Sequence, residues 1–222
     1  MTETVGISRG FIRTLVGDVQ SALARLGVSD TEAHRREAVR TTFAAIEGVA
    51  WVYREHVRTF TQDLGSMTPL LDFALQEKTY AVNDRGDLTE QTRFIPLTAM
   101  IRLTTQVAER SCPGLVVDFG HVGWSNLKLA IGVRNRLVHP KTTEDLAITQ
   151  GDLEIAKSGF FWLLALVIEG MTAVNDTLIS FGADSRTVVD QLLSGDEKAL
   201  ADYRAAVDSQ DSEASVAGHV RK

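Results

Sequence analysis

The chain lacks the residues on which several classes of protein depend. It has a single cysteine, Cys112, which excludes an internal disulfide framework and a metal cluster built on cysteines. Only 4 of its 222 residues are proline and 17 are glycine, which excludes collagen and argues against the turn-dense all-β folds. The most apolar run covers the nine residues 160–168, whereas a membrane span needs about 20. We therefore expect a packed protein interior and no membrane segment.

The net charge of the chain restricts the kinds of partner that we expect, and its N-terminal segment bears on its location. A net charge of −6 argues against a protein that binds nucleic acid over its whole surface, but it leaves room for a local basic site. The N-terminal segment has no basic stretch followed by an apolar one, as a secretory signal would have. A cytoplasmic location is therefore the default expectation.

Apolar residues recur at helical spacing through most of the chain. Asp30 and Thr68-Pro69 are residue types that begin helices. Gly27 and Pro140 are residue types that end them. The predicted helices are 8–26, 31–61, 69–81, 96–111, 124–138, 149–181, 185–193 and 197–207. The fold class that follows is all-α, a bundle of four to five core helices with short terminal helices.

Two segments without apolar periodicity complete this organisation. Residues 83–90 contain Asn, Asp and Gly and are predicted to form a surface loop. Residues 209–222 are rich in Ser, Asp and Ala and are predicted to form a disordered tail. The sequence thus predicts one helical domain over residues 1–208.

The helix predicted over 124–138 carries two apolar stripes. The first stripe contains two polar residues and comprises Trp124, Leu127, Ile131, Arg134, Asn135 and Val138. The second stripe, almost opposite, comprises Leu129, Val133 and Leu137. A helix that is apolar on two sides packs against its own bundle on one side and against something else on the other. A homodimer is the simplest explanation.

The end of this helix brings an arginine and a histidine together. Arg134 on an apolar stripe is costly unless it is paired or lies in a wet cleft. Pro140 disfavours helical geometry at the preceding residue, so the helix should end at about Val138. His139 is then free to turn back toward the face that carries Arg134.

Residues 132–141, Gly-Val-Arg-Asn-Arg-Leu-Val-His-Pro-Lys, resemble the signature of the HEPN superfamily (higher eukaryotes and prokaryotes nucleotide-binding domain). That signature is an arginine and a histidine separated by four to six residues, with a polar residue directly after the arginine. Arg134, Asn135 and His139 match it here. HEPN domains are helical bundles with this motif near the end of one helix and a long helix after it, and residues 149–181 are predicted to be that helix.

The resemblance implies a metal-independent endoribonuclease, without a cofactor, that cleaves RNA by attack of a 2′-hydroxyl. It implies that Arg134, His139 and Asn135 are catalytic, that two motifs meet in a homodimer, and that the protein is a toxin or defence effector. Arg136 and Lys141 are local cations suited to the flanking RNA phosphates, or else they belong to a solvated helix end. An antitoxin or another regulatory protein is a further expected partner. Some HEPN toxins carry a tyrosine where Lys141 stands, so regulation through that tyrosine is not carried over.

Two other functions fit the same sequence. A catalytically silent HEPN-like domain would bind a nucleotide or a protein partner while keeping the bundle and the Arg-His pair. An unrelated helical scaffold or regulatory protein is the other alternative, and a monomer in solution with Arg134 exposed would favour it.

Overall fold

The computed structural model describes the backbone of residues 2–219 and the side chains of residues 10–209. The chain is 76% helical, with seven α-helices and a two-stranded sheet within the described part, so the predicted all-α bundle is confirmed. The helices are α1 (Thr2–Val28), α2 (Glu32–Asp63), α3 (Pro69–Leu75), α4 (Leu97–Ser111), α5 (Val122–Val138), α6 (Gln150–Ser194) and α7 (Glu197–His219). The antiparallel strands are β1 (Lys78–Val82) and β2 (Leu88–Thr92), and Glu144–Leu146 form a 3₁₀ turn.

The core of the bundle is built around α2. This helix buries one face along most of its length and packs against α1, α3, α4 and α5. Helix α6 approaches its neighbours at glycines, since a Cβ on Gly170 would lie 2.6 Å from the Tyr53 hydroxyl oxygen on α2. A Cβ on Gly159 would lie 2.8 Å from the Leu127 Cα on α5. Helix α6 therefore lies against the α5 backbone at Gly159 and against the Tyr53 side chain of α2 at Gly170.

The N-cap of helix α2 is one residue later than the predicted N-cap, Asp30. Thr31 is the N-cap, and its hydroxyl oxygen accepts a hydrogen bond from the backbone N–H of His34. Asp30 instead accepts hydrogen bonds from the Arg35 guanidinium, and these bonds lower the pKa of its carboxyl group. The side chain of Asp30 thus joins the segment before α2 to the first turns of the helix.

A hairpin replaces the second half of the helix that was predicted over 69–81. Helix α3 ends at Leu75, and Glu77 has a φ of +54°, which is outside helical geometry. The residues that follow, Thr-Tyr-Ala-Val at 79–82, are mostly β-branched or aromatic and favour a strand. The prediction of a helix over 76–81 is therefore wrong.

The predicted loop at 83–90 is only partly a loop. The side-chain oxygen of Asn83 accepts hydrogen bonds from the backbone N–H groups of Arg85 and Asp87 at 2.9 and 3.0 Å. This turn reverses the chain within five residues, so strand β2 starts at Leu88. Strand pairing then continues to Thr92.

The chain divides into two compact units, Met1–Val174 and Asn175–Lys222. The sequence predicts instead one domain over residues 1–208. The predicted end of a helix at Gly182 does not occur, because a glycine in open space is tolerated in an exposed helix at a cost of about 1 kcal/mol. Helix α7 runs through the predicted boundary at 208 as far as His219, and residues 220–222 lie outside the described residues. None of the described side chains after Val174 is buried.

Helix α6 meets the length and composition of a membrane span. Its most apolar stretch has a mean hydropathy of 1.4 and is 39% buried. The core helix of a globular bundle passes the same test, and Leu163, Val167 and Val174 of α6 are buried.

Candidate active site at the end of helix α5

Helix α5 carries the Arg-Asn-x-x-x-His sequence and ends as predicted. At its start, Nδ1 of His121 accepts a hydrogen bond from a backbone N–H of the first turn at 3.0 Å, which caps the helix. At its end, Val138 is the last helical residue, and His139 leaves the helix with φ −124° and ψ 57°. The N–H of His139 still donates to the carbonyl oxygen of Asn135 at 3.0 Å. Pro140 then prevents continuation of the helix, and the imidazole of His139 is exposed.

Arg134 is held at the surface of the bundle by an ion pair between two helices. Its guanidinium donates to Oε1 of Glu47 on α2 at 2.8 Å and to Oδ1 of Asn135 at 3.2 Å. The Arg134 side chain is 33% exposed, so part of it faces solvent. Glu47 therefore both orients the guanidinium and balances its charge.

The structure brings three of the predicted site residues to one end of α5. Arg134 and Asn135 are in contact, whereas within the described residues no hydrogen bond joins the His139 imidazole to either of them. His139 lies five positions after Arg134, which is about 7.5 Å along a helix axis. Both side chains are accessible from solvent at this helix end.

Arg136 has partners that favour a structural role. Its guanidinium donates to the carbonyl oxygen of Ala147 at 3.1 Å and to Oδ2 of Asp152 at 2.7 Å. Burial alone would raise the pKa of Asp152, but hydrogen bonds from the backbone N–H and hydroxyl of Thr149 and from Arg136 outweigh it and lower that pKa. The pair thus joins the end of α5 to the start of α6.

Lys141, unlike Arg136, makes its contacts through the backbone and not through its charged group. Its backbone N–H donates to the carboxylate of Asp145 at 2.8 Å, and Thr142 donates to the same oxygen. These hydrogen bonds lower the pKa of Asp145. The lysine ammonium is exposed and makes no ion pair within the described part of the chain. Of the two cations predicted to bind RNA phosphates, Lys141 is the one whose charge is free to do so.

The two predicted stripes of α5 merge into one buried face. The reason is that α2 and α6 pack on the helix from two directions, which moves its core side toward the second stripe. Arg134 and Ile131 are half-buried, and Asn135 is exposed. The buried side chains are Trp124, Leu127, Ala130, Val133 and Leu137. Val133 and Leu137 therefore pack inside the bundle of this chain. The exposed apolar residues at this part of α5, Leu129 and Val138, lie on opposite sides of the helix.

Glu47 is the residue of this site that sequence reasoning missed. It lies 87 positions before Arg134 and occupies an exposed position of a long helix, where a glutamate is ordinary. The one signal that the sequence holds is a charged residue on α2 without a charged helical neighbour. The i−4 and i+4 neighbours of Glu47 are Phe43 and Trp51, and its i−3 and i+3 neighbours are both alanine.

The described residues contain no group of three or more His, Cys, Asp and Glu side chains that is placed to hold a metal ion. Comparison of the chain with models of protein families, with curated proteins and with solved structures finds no match. The resemblance to HEPN domains therefore rests on the motif and on the helical architecture around it.

Proposed function

We propose that the chain is a metal-independent endoribonuclease of the HEPN type. The observation that carries this proposal is the end of α5, where Arg134 and His139 lie at one helix terminus with both side chains accessible. Arginine supplies planar donors for a phosphoryl group, and histidine is the side chain that gains or loses a proton near neutral pH. One site thus holds a group for charge stabilisation and a group for proton transfer.

In the proposed reaction, a ribose 2′ oxygen forms a bond to the adjacent phosphorus while the bond from phosphorus to the 5′ oxygen breaks. His139 accepts the proton of the 2′-hydroxyl or supplies one to the leaving 5′ oxygen. Arg134 donates to the phosphoryl oxygens, where negative charge accumulates in the transition state. The products are a 2′,3′-cyclic phosphate and a 5′-hydroxyl.

The other residues of the site have supporting roles in this proposal. Asn135 contacts the Arg134 guanidinium and orients it together with Glu47. Lys141 binds a flanking phosphate. A second copy of the chain, packed near the exposed apolar residue Val138 next to the motif, would supply a second motif to the same cleft.

A ribonuclease that needs no metal requires control inside a cell. We therefore place the protein in the cytoplasm as a toxin or defence effector that is restrained by an antitoxin or another regulatory protein.

The experiment is cleavage of end-labelled single-stranded RNA in the presence of EDTA. We expect cleavage by the wild type and a loss of about 10²-fold or more for both Arg134→Ala and His139→Ala. Arg134→Lys should also be weak, because an ammonium cannot make the two-pronged contact. Arg110→Ala, an exposed arginine on α4, is the matched control and should cleave like the wild type.

One observation favours a second candidate, the catalytically silent domain. The Arg134 guanidinium is already paired with Glu47, and the whole chain carries a net charge of −6. Both facts disfavour binding of a polyanion such as RNA. If the wild type cleaves no RNA in EDTA or with divalent metal but binds nucleotide in a way that Arg134→Ala abolishes, the silent domain replaces the nuclease.

A further inference from the structure

A small cavity lies beside the ion pair that holds Arg134. Its volume is about 210 Å³, and Glu47 forms part of its wall. Two aromatic side chains, Trp51 and Phe94, and two charged ones, Arg54 and Glu77, line it as well. Trp51 follows Glu47 by four residues on α2, so the Trp51 ring lies about one helical turn from the residue that binds Arg134.

Phe94 is held in an exposed position by its neighbours. The backbone N–H of Arg93 donates to the carbonyl oxygen of Glu77 at 2.7 Å, and the N–H of Ile95 donates to its carboxylate at 2.9 Å. The same carboxylate accepts a hydrogen bond from Arg54 at 3.1 Å. Glu77 makes these contacts with φ at +54°, a conformation that residues other than glycine rarely adopt and that clusters at functional sites. The chain is therefore tied on both sides of Phe94, whose ring is nevertheless 81% exposed.

Trp51 is exposed in a similar way. Its ring meets Phe11 of α1 edge to face, with ring centroids 6.4 Å apart, yet the residue is 52% exposed. Two large apolar rings in contact with water beside one cavity call for an occupant with a flat apolar face. The charges in the wall are paired, since Arg54 binds Glu77 and Glu47 binds Arg134, and they favour a neutral occupant with a polar edge over an anion.

We propose that this cavity is a base-binding subsite, in which an unpaired RNA base stacks on Trp51 and Phe94 while its strand passes Arg134. This inference rests on the proposed function and names the form of its substrate. Stacking on aromatic rings is the way in which proteins hold the bases of single-stranded RNA, and every base has a face for it. In a duplex those faces are covered, so the site selects single-stranded RNA.

The test measures binding of fluorescent single-stranded RNA octamers to the full chain in the His139→Ala background, which prevents cleavage. We expect Trp51→Ala to raise Kd by about five-fold or more, the effect of losing one stacked base. Trp51→Phe keeps a ring and should stay near the parent. Phe161→Ala removes a ring that is 51% exposed on α6 and is the matched control, with an unchanged Kd.

An abasic octamer of the same length supplies the second arm. It keeps the phosphates and removes the bases, so it should bind the parent more weakly, and Trp51→Ala should weaken it no further. An equal loss on both octamers, or no loss on either, would overturn the subsite. So would dissociation of a homodimer by Trp51→Ala, since the rings would then face a second copy.

The two proposals fail separately in this design. Cleavage of RNA by the wild type without any effect of Trp51→Ala on Kd would leave the nuclease standing and remove the base subsite. Base-dependent binding through Trp51, in a wild type that cleaves nothing, would do the reverse.

Discussion

Replacing Arg136 with alanine is expected to destabilise the protein by about 1.5–3 kcal/mol, without a specific effect on RNA binding. The change removes two hydrogen bonds from a charged donor, each worth about 1.5–3 kcal/mol when well formed. The side chains of Arg136 and Asp152 are 27% and 17% exposed, so solvent screens the pair in part. Asp152 also keeps its bonds from Thr149 and is not left without a partner. These two effects put the expected loss nearer to one such bond than to two.

The assay is urea unfolding followed by circular dichroism, with the thermal midpoint as a second readout. A loss of 1.5–3 kcal/mol corresponds to a fall in Tm of roughly 3–12 °C for a chain of this size. Lys141→Ala, at an exposed residue five positions further along, is the control and should unfold like the wild type. Arg136→Lys should recover part of the loss, because the ammonium still reaches one acceptor.

A stable Arg136→Ala protein with weakened RNA binding would refute this reasoning. Arg136 would then be a phosphate contact, as the sequence alone suggested, and its pairing with Asp152 would be incidental.

Four other substitutions test separate parts of the structure. Gly159→Ala places a Cβ 2.8 Å from the α5 backbone and should lower the free energy of unfolding by about 1–3 kcal/mol or more. Gly17→Ala, in open space on α1, should raise the free energy of unfolding by about 0.5–1 kcal/mol. Urea unfolding measures both. The lowered pKa of Asp152 contributes stability that is present above its ordinary value of 3.8 and is lost as the pH falls through its folded value, so Asp152→Asn should flatten the acid side of the stability profile. Glu47→Gln keeps an acceptor for Arg134 but removes the competing charge, so KM for RNA should fall, most clearly at low salt, and a rise in KM would contradict the role given to Glu47.

The helices that frame the site were predictable because their buried faces impose a period on the sequence. The prediction of 31–61 matches Glu32–Asp63, and that of 124–138 matches Val122–Val138. The stop before Pro140 was predictable from the covalent geometry of proline alone. All three are local properties of the chain.

The hairpin and the ion pairs were not predictable, because they depend on contacts between distant segments. Glu77 ends helical geometry while it binds Arg54, which lies 23 positions earlier. The pairing of Arg134 with Glu47 depends on where α5 crosses α2, which periodicity does not determine. The same holds for the packing of α5 from two sides, which moved its buried face.

The chemistry of the RNA ends is the measurement that tests the central claim most directly. RNA incubated with the wild type in EDTA should yield fragments with 2′,3′-cyclic phosphate and 5′-hydroxyl ends by mass spectrometry. The same RNA with 2′-O-methyl groups should stay intact, and His139→Ala should leave both uncut. Fragments with 3′-hydroxyl and 5′-phosphate ends, or cleavage of the methylated RNA, would contradict attack by the 2′-hydroxyl and the role of His139 in it.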